Sequence, residues 1–319
     1  MEYSIGVDLG GTHLRSALVD QQGKIVAHER VRTHGEEGVE AVIGRIVGLI
    51  KKMEANDPNA LIRGVGVAAP GPINPFTGMV STLPNIPGFE NFALRDTIQK
   101  HLDYPVVIGN DANLAAVGEW LFGGGRSMKN LIYVTISTGI GGGIIADGKL
   151  LLGNSGFAAE VGHIILQPDG PDLDTPTPIG SWEALASGTA LARMARTGLY
   201  NQVDTVLEAM ATPETITTRH IAEAATSGDA FANHLIDQAG RWTGIAFVNL
   251  LHLFSPEAIF IGGGVSNLGD RLLNPAREEI QRRALPAYRN VPLILTNLGD
   301  NIGLLGAAAY AFDQIPAEH

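Results

Sequence analysis

The sequence predicts an α/β fold, and three observations carry that prediction. Short β-branched runs alternate along the chain with longer segments of helical spacing, and no low-complexity stretch interrupts them. The 40 glycines are too many for ordinary turns, and they cluster at the ends of predicted strands. A strand–glycine turn–strand unit at residues 5–19 resembles a second one at 131–146, which suggests two related halves.

Taken in order, Tyr3 to Val7 reads as a strand, Asp8-Leu9-Gly10-Gly11-Thr12 as a glycine turn, and Leu14 to Val19 as the returning strand. Ile25 to Val31 completes a meander. Val39, Val42, Ile43, Ile46, Ile50 and Met53 recur at helical spacing, so Glu37 to Ala55 is expected to be an amphipathic helix. Ile62 to Ala69 is a buried strand running into Pro70-Gly71-Pro72. Residues 74–92 read as a functional loop rich in Pro, Gly and Asn, and a helix follows from about Leu94 to His101. Leu131 to Ser137 and Gly143 to Ala146 form the second hairpin. Residues 153–178 are irregular and polar. Helices are expected at about 181–196, 219–227, 230–254, 271–284 and 304–312, with strands at 258–261 and 293–296. The helix at 230–254 reads as either core or an interface between subunits.

The chain has 319 residues, 45% hydrophobic and 17% charged, enough for a substantial core and two domains. A net charge of -11 without a Lys/Arg run argues against nucleic acid or an anionic membrane as partner. No apolar stretch is long enough to span a bilayer, and the N-terminus lacks the regions of a signal peptide. The absence of cysteine excludes disulfides, a thiol nucleophile and a thiolate-bound metal. A soluble cytoplasmic protein is the expectation.

The stretch Val106-Val107-Ile108-Gly109-Asn110-Asp111-Ala112-Asn113 ends a β-branched run in Gly-Asn-Asp and then turns helical. Asp111 at that corner either caps the helix or reaches into a cleft from a rigid support. Three glycine-rich turns stand at strand ends: Asp8 to Thr12, Ser137 to Gly143, and Ile261 to Val265. Glycine lets backbone N–H groups approach an anion, and Thr12, Ser137 and Thr138 add hydroxyl donors. Gly143 to Leu150 comes near a P-loop but ends in Leu where Ser or Thr would ligate magnesium, and it opens no helix. No turn completes the G-x-G-x-x-G of a dinucleotide site. A nucleotide held by paired glycine hairpins is what is left.

Five motifs together resemble the ROK family. They are Asp8-Leu9-Gly10-Gly11-Thr12 with Arg15, Gly109-Asn110-Asp111-Ala112-Asn113, Ser137-Thr138-Gly139-Ile140-Gly141-Gly142-Gly143, Glu160-Val161-Gly162-His163, and Ser187-Gly188-Thr189-Ala190-Leu191. The resemblance runs from Ile5 to about Ala309. That family comprises bacterial sugar kinases, related repressors and open reading frames, within the actin-like ATPase and sugar kinase superfamily. It implies two actin-like (ribonuclease H-like) α/β domains around a central cleft. Residues 1–112, closed by a C-terminal helix at 303–319, would form the first domain and residues 113–302 the larger second one.

The resemblance implies an ATP- and magnesium-dependent hexose kinase in which Asp111 is the general base. Asn85, Asn110, Asp111, Glu160, His163 and Glu183 would bind the sugar. Asp8 would stand near the magnesium, Gly10, Gly11, Thr12, Thr138 and Gly139 near the phosphates, and Gly263 and Gly264 beside the adenosine. Glucose ranks first among acceptors, ahead of fructose, mannose, allose and N-acetylhexosamines. Homodimers or homotetramers are common in the family. Most of its kinases carry a zinc site of one His and three Cys. Here the cysteine positions fall on Asp174, Pro176 and Ser181, so no structural zinc is expected. Packing of Pro171, Pro176, Pro178 and Trp182 is expected to hold that loop instead. A non-enzymatic sugar sensor and a polyphosphate donor are the alternatives. The first is disfavoured by the early start of the first phosphate strand and the acidic charge, the second by the lack of a basic run.

Overall fold

The meander foreseen at the N-terminus forms the edge of a five-stranded sheet. The computed structural model describes every residue except Met1, Pro58, Pro84, Asn85, Asp174, Pro176, Glu318 and His319. Strands β1 (Glu2–Leu9), β2 (His13–Asp20) and β3 (Ile25–Arg32) run antiparallel. The β2–β3 turn closes because Asp20 Oδ1 accepts the N–H groups of Gln22 and Lys24, each at 2.9 Å. Helix α1 (Val39–Ala55) leads to β4 (Leu61–Ala69). The loop expected at 74–92 contains a small hairpin, β5 (Ile73–Asn74) with β6 (Met79–Val80). Helix α2 (Leu94–Gln99), β7 (Val106–Asn110) and α3 (Asp111–Leu121) follow. The sheet order is β3-β2-β1-β4-β7, with β1, β4 and β7 parallel.

A second sheet has the order β10-β9-β8-β11-β12. Its strands are β8 (Leu131–Ile136), β9 (Ile140–Ala146), β10 (Lys149–Leu150), β11 (Ala258–Gly262) and β12 (Leu293–Leu295). Between β10 and β11 come α4 (Trp182–Ala186), α5 (Gly188–Tyr200), α6 (Leu207–Met210), α7 (Thr218–Thr226) and α8 (Ala230–Phe254). Helix α9 (Asp270–Arg283) precedes β12, and α10 (Ile302–Gln314) closes the chain. One helix was expected over 181–196. Two form instead, because Ser187 takes an extended conformation and its hydroxyl caps α5 by accepting the Ala190 N–H. Helix α6 has too little periodicity to be read from sequence.

The chain divides into two compact units: Met1–Tyr133 with Gly143–Ala159 and Thr296–His319, and Val134–Gly142 with Glu160–Leu295. Helix α3 lies in the first of these units, seated on α10. A Cβ at Gly306 of α10 would lie 2.3 Å from Leu114 O, and one at Gly118 3.0 Å from Gly306 Cα, so the two helices meet backbone to backbone.

In the first unit α1 buries Ile43, Ile46, Ile50 and Met53 in one core with Ile5, Val7, Val65 and Ile108 of the sheet. Full burial of each such side chain stabilises the unit by roughly 1.5–3 kcal/mol. Helix α10 packs on β1 and β4 through glycine: a Cβ at Gly66 would lie 1.8 Å from Ala307 O. In the second unit α8 is a core helix, with Ala239, Gly240, Gly244, Ala246 and Phe247 buried. Its close approach to α9 needs Gly240 and Gly244, whose Cβ atoms would meet Leu272 O at 2.5 Å and Ala276 O at 2.6 Å. No helix of the described residues is long and apolar enough to cross a membrane.

Glu119, near the C-terminal end of α3, is fully buried. Its Oε1 accepts the Thr296 hydroxyl, and its Oε2 accepts the Gly124 N–H at 3.1 Å. Burial outweighs these bonds and raises its pKa. The folded state therefore holds the proton to a higher pH than the unfolded chain, and stability falls as pH rises through the carboxyl range. Glu119→Gln removes the charge, keeps one oxygen to accept the Gly124 N–H, and turns its amide N–H toward the Thr296 hydroxyl, which can accept it. Its melting temperature is expected to gain on the wild type between pH 4 and pH 8, and equal pH slopes would show that Glu119 carries no such penalty.

Candidate active site

In the first unit the sheet register decides what is brought together. Asp8 pairs with Ala68, and Ala68 with Gly109, so β1, β4 and β7 reach the same level at their C-terminal ends. Two strand spacings separate Asp8 from Gly109, about 10 Å. Asp111 follows two residues later. The C-terminal edge of parallel strands is where α/β sheets bind ligands.

The helix cap at this corner belongs to Asn110. Its Oδ1 accepts the N–H groups of Ala112 at 3.0 Å and Asn113 at 3.3 Å, while its Nδ2 donates to Gly71 O at 3.3 Å. Asp111 is thereby relieved of capping and stands as the exposed first residue of α3. Its Oδ1 accepts the Ala112 N–H at 2.8 Å, which steers the carboxylate at a helix end that favours negative charge. Asn85 lies outside the described residues.

Asp8 is mostly buried, and its Oδ2 accepts both Nε (3.0 Å) and Nη2 of Arg15, its partner across the β1–β2 hairpin. Arg15 Nη1 donates onward to Asp300 O at 2.6 Å. Asp8 Oδ1 accepts no bond among the described residues. One carboxylate with a free oxygen fits magnesium, which keeps most of its waters and needs few protein ligands. The turn after Asp8 is fixed by Thr33, a residue that sequence reasoning missed. Its hydroxyl donates to Gly10 O at 2.6 Å, and its N–H to Thr12 O at 2.9 Å. The carbonyls of Gly10 and Thr12 are thus engaged, while Gly11 and the Thr12 side chain lie at the surface of the turn.

In the second unit the β8–β9 turn is the hub. Ser137 O accepts the Gly188 N–H at 2.7 Å, and Thr138 O accepts the Thr189 N–H at 3.2 Å and hydroxyl at 2.9 Å. The turn is thereby tied to the N-terminus of α5. Gly263 has φ +87°, and a Cβ there would lie 2.4 Å from Ile136 O, so only glycine fits beside β8. At Gly264 a Cβ would meet nothing nearer than Ser137 Oγ at 3.9 Å. A cavity of about 790 Å³ opens here, with Thr138, Thr189, Arg193, Thr218, Gly264 and Leu268 among its walls.

Glu183 and the short helical turn that carries Glu160 and His163 both approach Ile140, at the end of the β8–β9 turn. The short helical turn Val161–His163 sits on it, since a Cβ at Gly162 would lie 2.0 Å from Ile140 O. Glu160 and His163 are both exposed, 4.0 Å apart. Glu183 Oε2 accepts the Ile140 N–H at 2.7 Å, and its Oε1 accepts the Thr177 hydroxyl at 2.6 Å.

Ser181, one of the three positions matched to zinc-binding cysteine, is buried and caps α4 by accepting the Ala184 N–H at 3.2 Å. Asp174 and Pro176 lie outside the described residues. The proline-rich loop is closed by backbone bonds from Leu166 and Gln167 to Gly180 O, at 3.0 and 3.1 Å, and from Gly180 to Pro171 O at 3.0 Å. Trp182, buried against Phe247, anchors its end. Among the described residues the one group of three or more His, Asp or Glu close enough to share a metal is His34, Glu36 and Glu37, far along the chain from these motifs.

The chain matches the ROK family over residues 4–314. It is 36% identical to a glucokinase from Thermotoga maritima, over 98% of each chain. A ROK family glucokinase from Streptomyces griseus, solved with glucose and AMPPNP, has a similar structure at TM-score 0.81 and 34% identity, covering 98% of this chain and 99% of that one. A xylose repressor from Caldicellulosiruptor bescii is 32% identical over 98% of this chain and 78% of its own length. The chain belongs to the ROK family and has its actin-like, two-domain fold. Within that family it is a sugar kinase.

The two adjacent glycines separate steric need from ligand contact. Gly263→Ala is expected to cost about 2–3 kcal/mol, from the backbone clash and the positive φ together. Gly264→Ala is expected to stay within about 0.5 kcal/mol of the wild type. Thermal denaturation of the two variants checks the difference.

Proposed function

We propose that the chain is an ATP- and magnesium-dependent hexose kinase that phosphorylates the 6-hydroxyl of glucose, with Asp111 as general base. The observation that carries this reading is Asp111 itself, held at the first position of α3 while Asn110 makes the cap. A sugar hydroxyl is a poor nucleophile at neutral pH. A carboxylate within hydrogen-bond reach accepts its proton as the oxygen forms its bond to the γ-phosphorus. The bond from that phosphorus to the bridging oxygen breaks, and ADP leaves. Most of the rate comes from positioning and from spreading the phosphoryl charge, so Asp111 need not be strongly basic.

Asp8 would hold the magnesium, directly or through water, and the metal would supply charge neutralisation on the phosphates. Gly10, Gly11, Thr12, Thr138 and Gly139 would contact the phosphates. Gly263 and Gly264 would flank the nucleoside. Glu160, His163, Glu183, Asn110 and Asn85 would read the sugar hydroxyls, which both donate and accept. Glucose as acceptor draws on the relatives from Thermotoga maritima and Streptomyces griseus. Another hexose, or polyphosphate as donor, keeps the same base and the same chemistry. The likeness to a xylose repressor supports a second reading, a sugar-binding regulator without turnover.

A coupled ADP-release assay with ATP, magnesium and a panel of hexoses separates these readings. Turnover is expected with glucose and is expected to survive zinc chelation when magnesium alone is restored. No turnover with any hexose, from ATP or from polyphosphate, would leave the regulator. Asp111→Asn is expected to keep the fold and sugar binding but to lower kcat by about 10²- to 10⁴-fold. A near-normal rate in that variant would remove Asp111 as the base.

A further inference from the structure

The cavity of the second unit holds a cation that the motifs do not account for. Thr189, Ala192, Arg193 and Arg196 follow one another at i, i+3, i+4 and i+7, so one face of α5 lines the cavity. Arg196 Nε donates to Pro213 O at 2.9 Å. Arg193 differs. Its Nε is buried without a partner, and its guanidinium finds no acceptor among the described residues. Burial lowers its pKa, the sign of a charge held out of water without compensation. A half-buried, unpaired guanidinium is costly, and a ligand that covers its face or accepts its N–H groups offsets that cost.

The position along α5 says which part of a ligand that would be. Thr189 is bonded to the phosphate turn at Thr138, and Arg193 stands four residues further on. At 1.5 Å per residue that is about 6 Å of helix away from the turn. The cavity walls are mixed, with Leu173, Ala192, Ile216, Ala222, Val265 and Leu268 beside the polar Thr217, Thr218, Arg219 and Asn267. Apolar walls with a few polar groups suit a flat base and its ribose, and a guanidinium plane stacks well on an aromatic face.

We propose that Arg193 recognises the nucleoside end of the phosphoryl donor, stacking on or donating to the base and ribose inside this cavity. The assignment rests on the donor reading given above. It makes Arg193 a determinant of donor choice, favouring a nucleoside triphosphate over a donor without a base.

The test is calorimetric titration of Mg-ATP and of inorganic tripolyphosphate into the wild type, Arg193→Met and Arg193→Lys. Arg193→Met is expected to lose about 10- to 30-fold in ATP affinity, the worth of a desolvated cation–π contact. Tripolyphosphate affinity is expected to stay unchanged, and the melting temperature to stay level or rise as the unpaired charge is removed. Arg193→Lys keeps the charge without the planar fork and is expected to bind ATP more weakly than the wild type. In steady state the KM for ATP rises while the KM for the sugar does not. Equal ATP affinity in all three proteins overturns the proposal. So does a parallel loss of ATP and tripolyphosphate, which would put Arg193 on the phosphates. A wild type that binds ATP but phosphorylates no sugar removes the kinase reading and leaves Arg193 standing, whereas one that binds no ATP removes both.

Discussion

The seat of α10 on the sheet is the constraint on which the first unit depends. A Cβ at Gly6 would lie 2.2 Å from Leu304 O, so the helix backbone rests directly on β1 and β4. The buried Ser4 hydroxyl donates to Ala308 O at 2.9 Å and fixes the helix along its axis. That seat carries both carboxylates of the proposed chemistry. Gly303, at the start of α10, faces Asp8 closely enough that a Cβ would touch its Oδ2 at 2.9 Å. Arg15, which orients Asp8, is itself held by Asp300 O just before α10. Helix α3, which carries Asp111, meets α10 at Gly118 and Gly306. A shift of α10 along its axis would move Asp8 and Asp111 together.

The second unit uses the same device around one turn. Gly162 rests on Ile140 O, Gly188 on Ser137 O and Gly263 on Ile136 O, each with too little room for a methyl group. Three separate segments thus crowd onto the β8–β9 turn. Hydrogen bonds from Gly188 and Thr189 then set the register of α5 against it. Close backbone packing of this kind is short of side-chain entropy to lose and tolerates little drift, which suits the proposed role of this turn in holding phosphate oxygens.

Much of this architecture was legible in the sequence, because period and punctuation carry strands, helices and turns. The limits are physical. Asn110 and Asp111 are both good capping residues, and only the end of the β7 ladder, where Asn110 pairs with Ala69, decides which one caps. The seat of α3 on α10 depends on a contact between Gly118 and Gly306, which periodicity cannot see. The break at Ser187 was hidden because the apolar pattern runs through it, although serine before Gly-Thr was a stop signal in plain view. Arg193 was legible as one member of a helical face. Its lack of a partner was not, since that depends on segments at 137–138, 216–219 and 264–268 closing around it.

The described part of the loop at 164–180 is closed by hydrogen bonds. Here Gly180 sits at φ +66° with Gln167 O where its Cβ would be, so the closure depends on glycine and on a specific backbone geometry. Thr177 then donates to Glu183, whose other oxygen holds the Ile140 N–H of the β8–β9 turn. The loop and the turn therefore share one carboxylate. Under the proposed reading Glu183 also reads a sugar hydroxyl, and a carboxylate has lone pairs enough for all three partners. A sugar that draws on Glu183 would then change the electron density offered to Ile140 and Thr177 together. Sugar binding and the geometry of the phosphate turn would be linked through that one side chain.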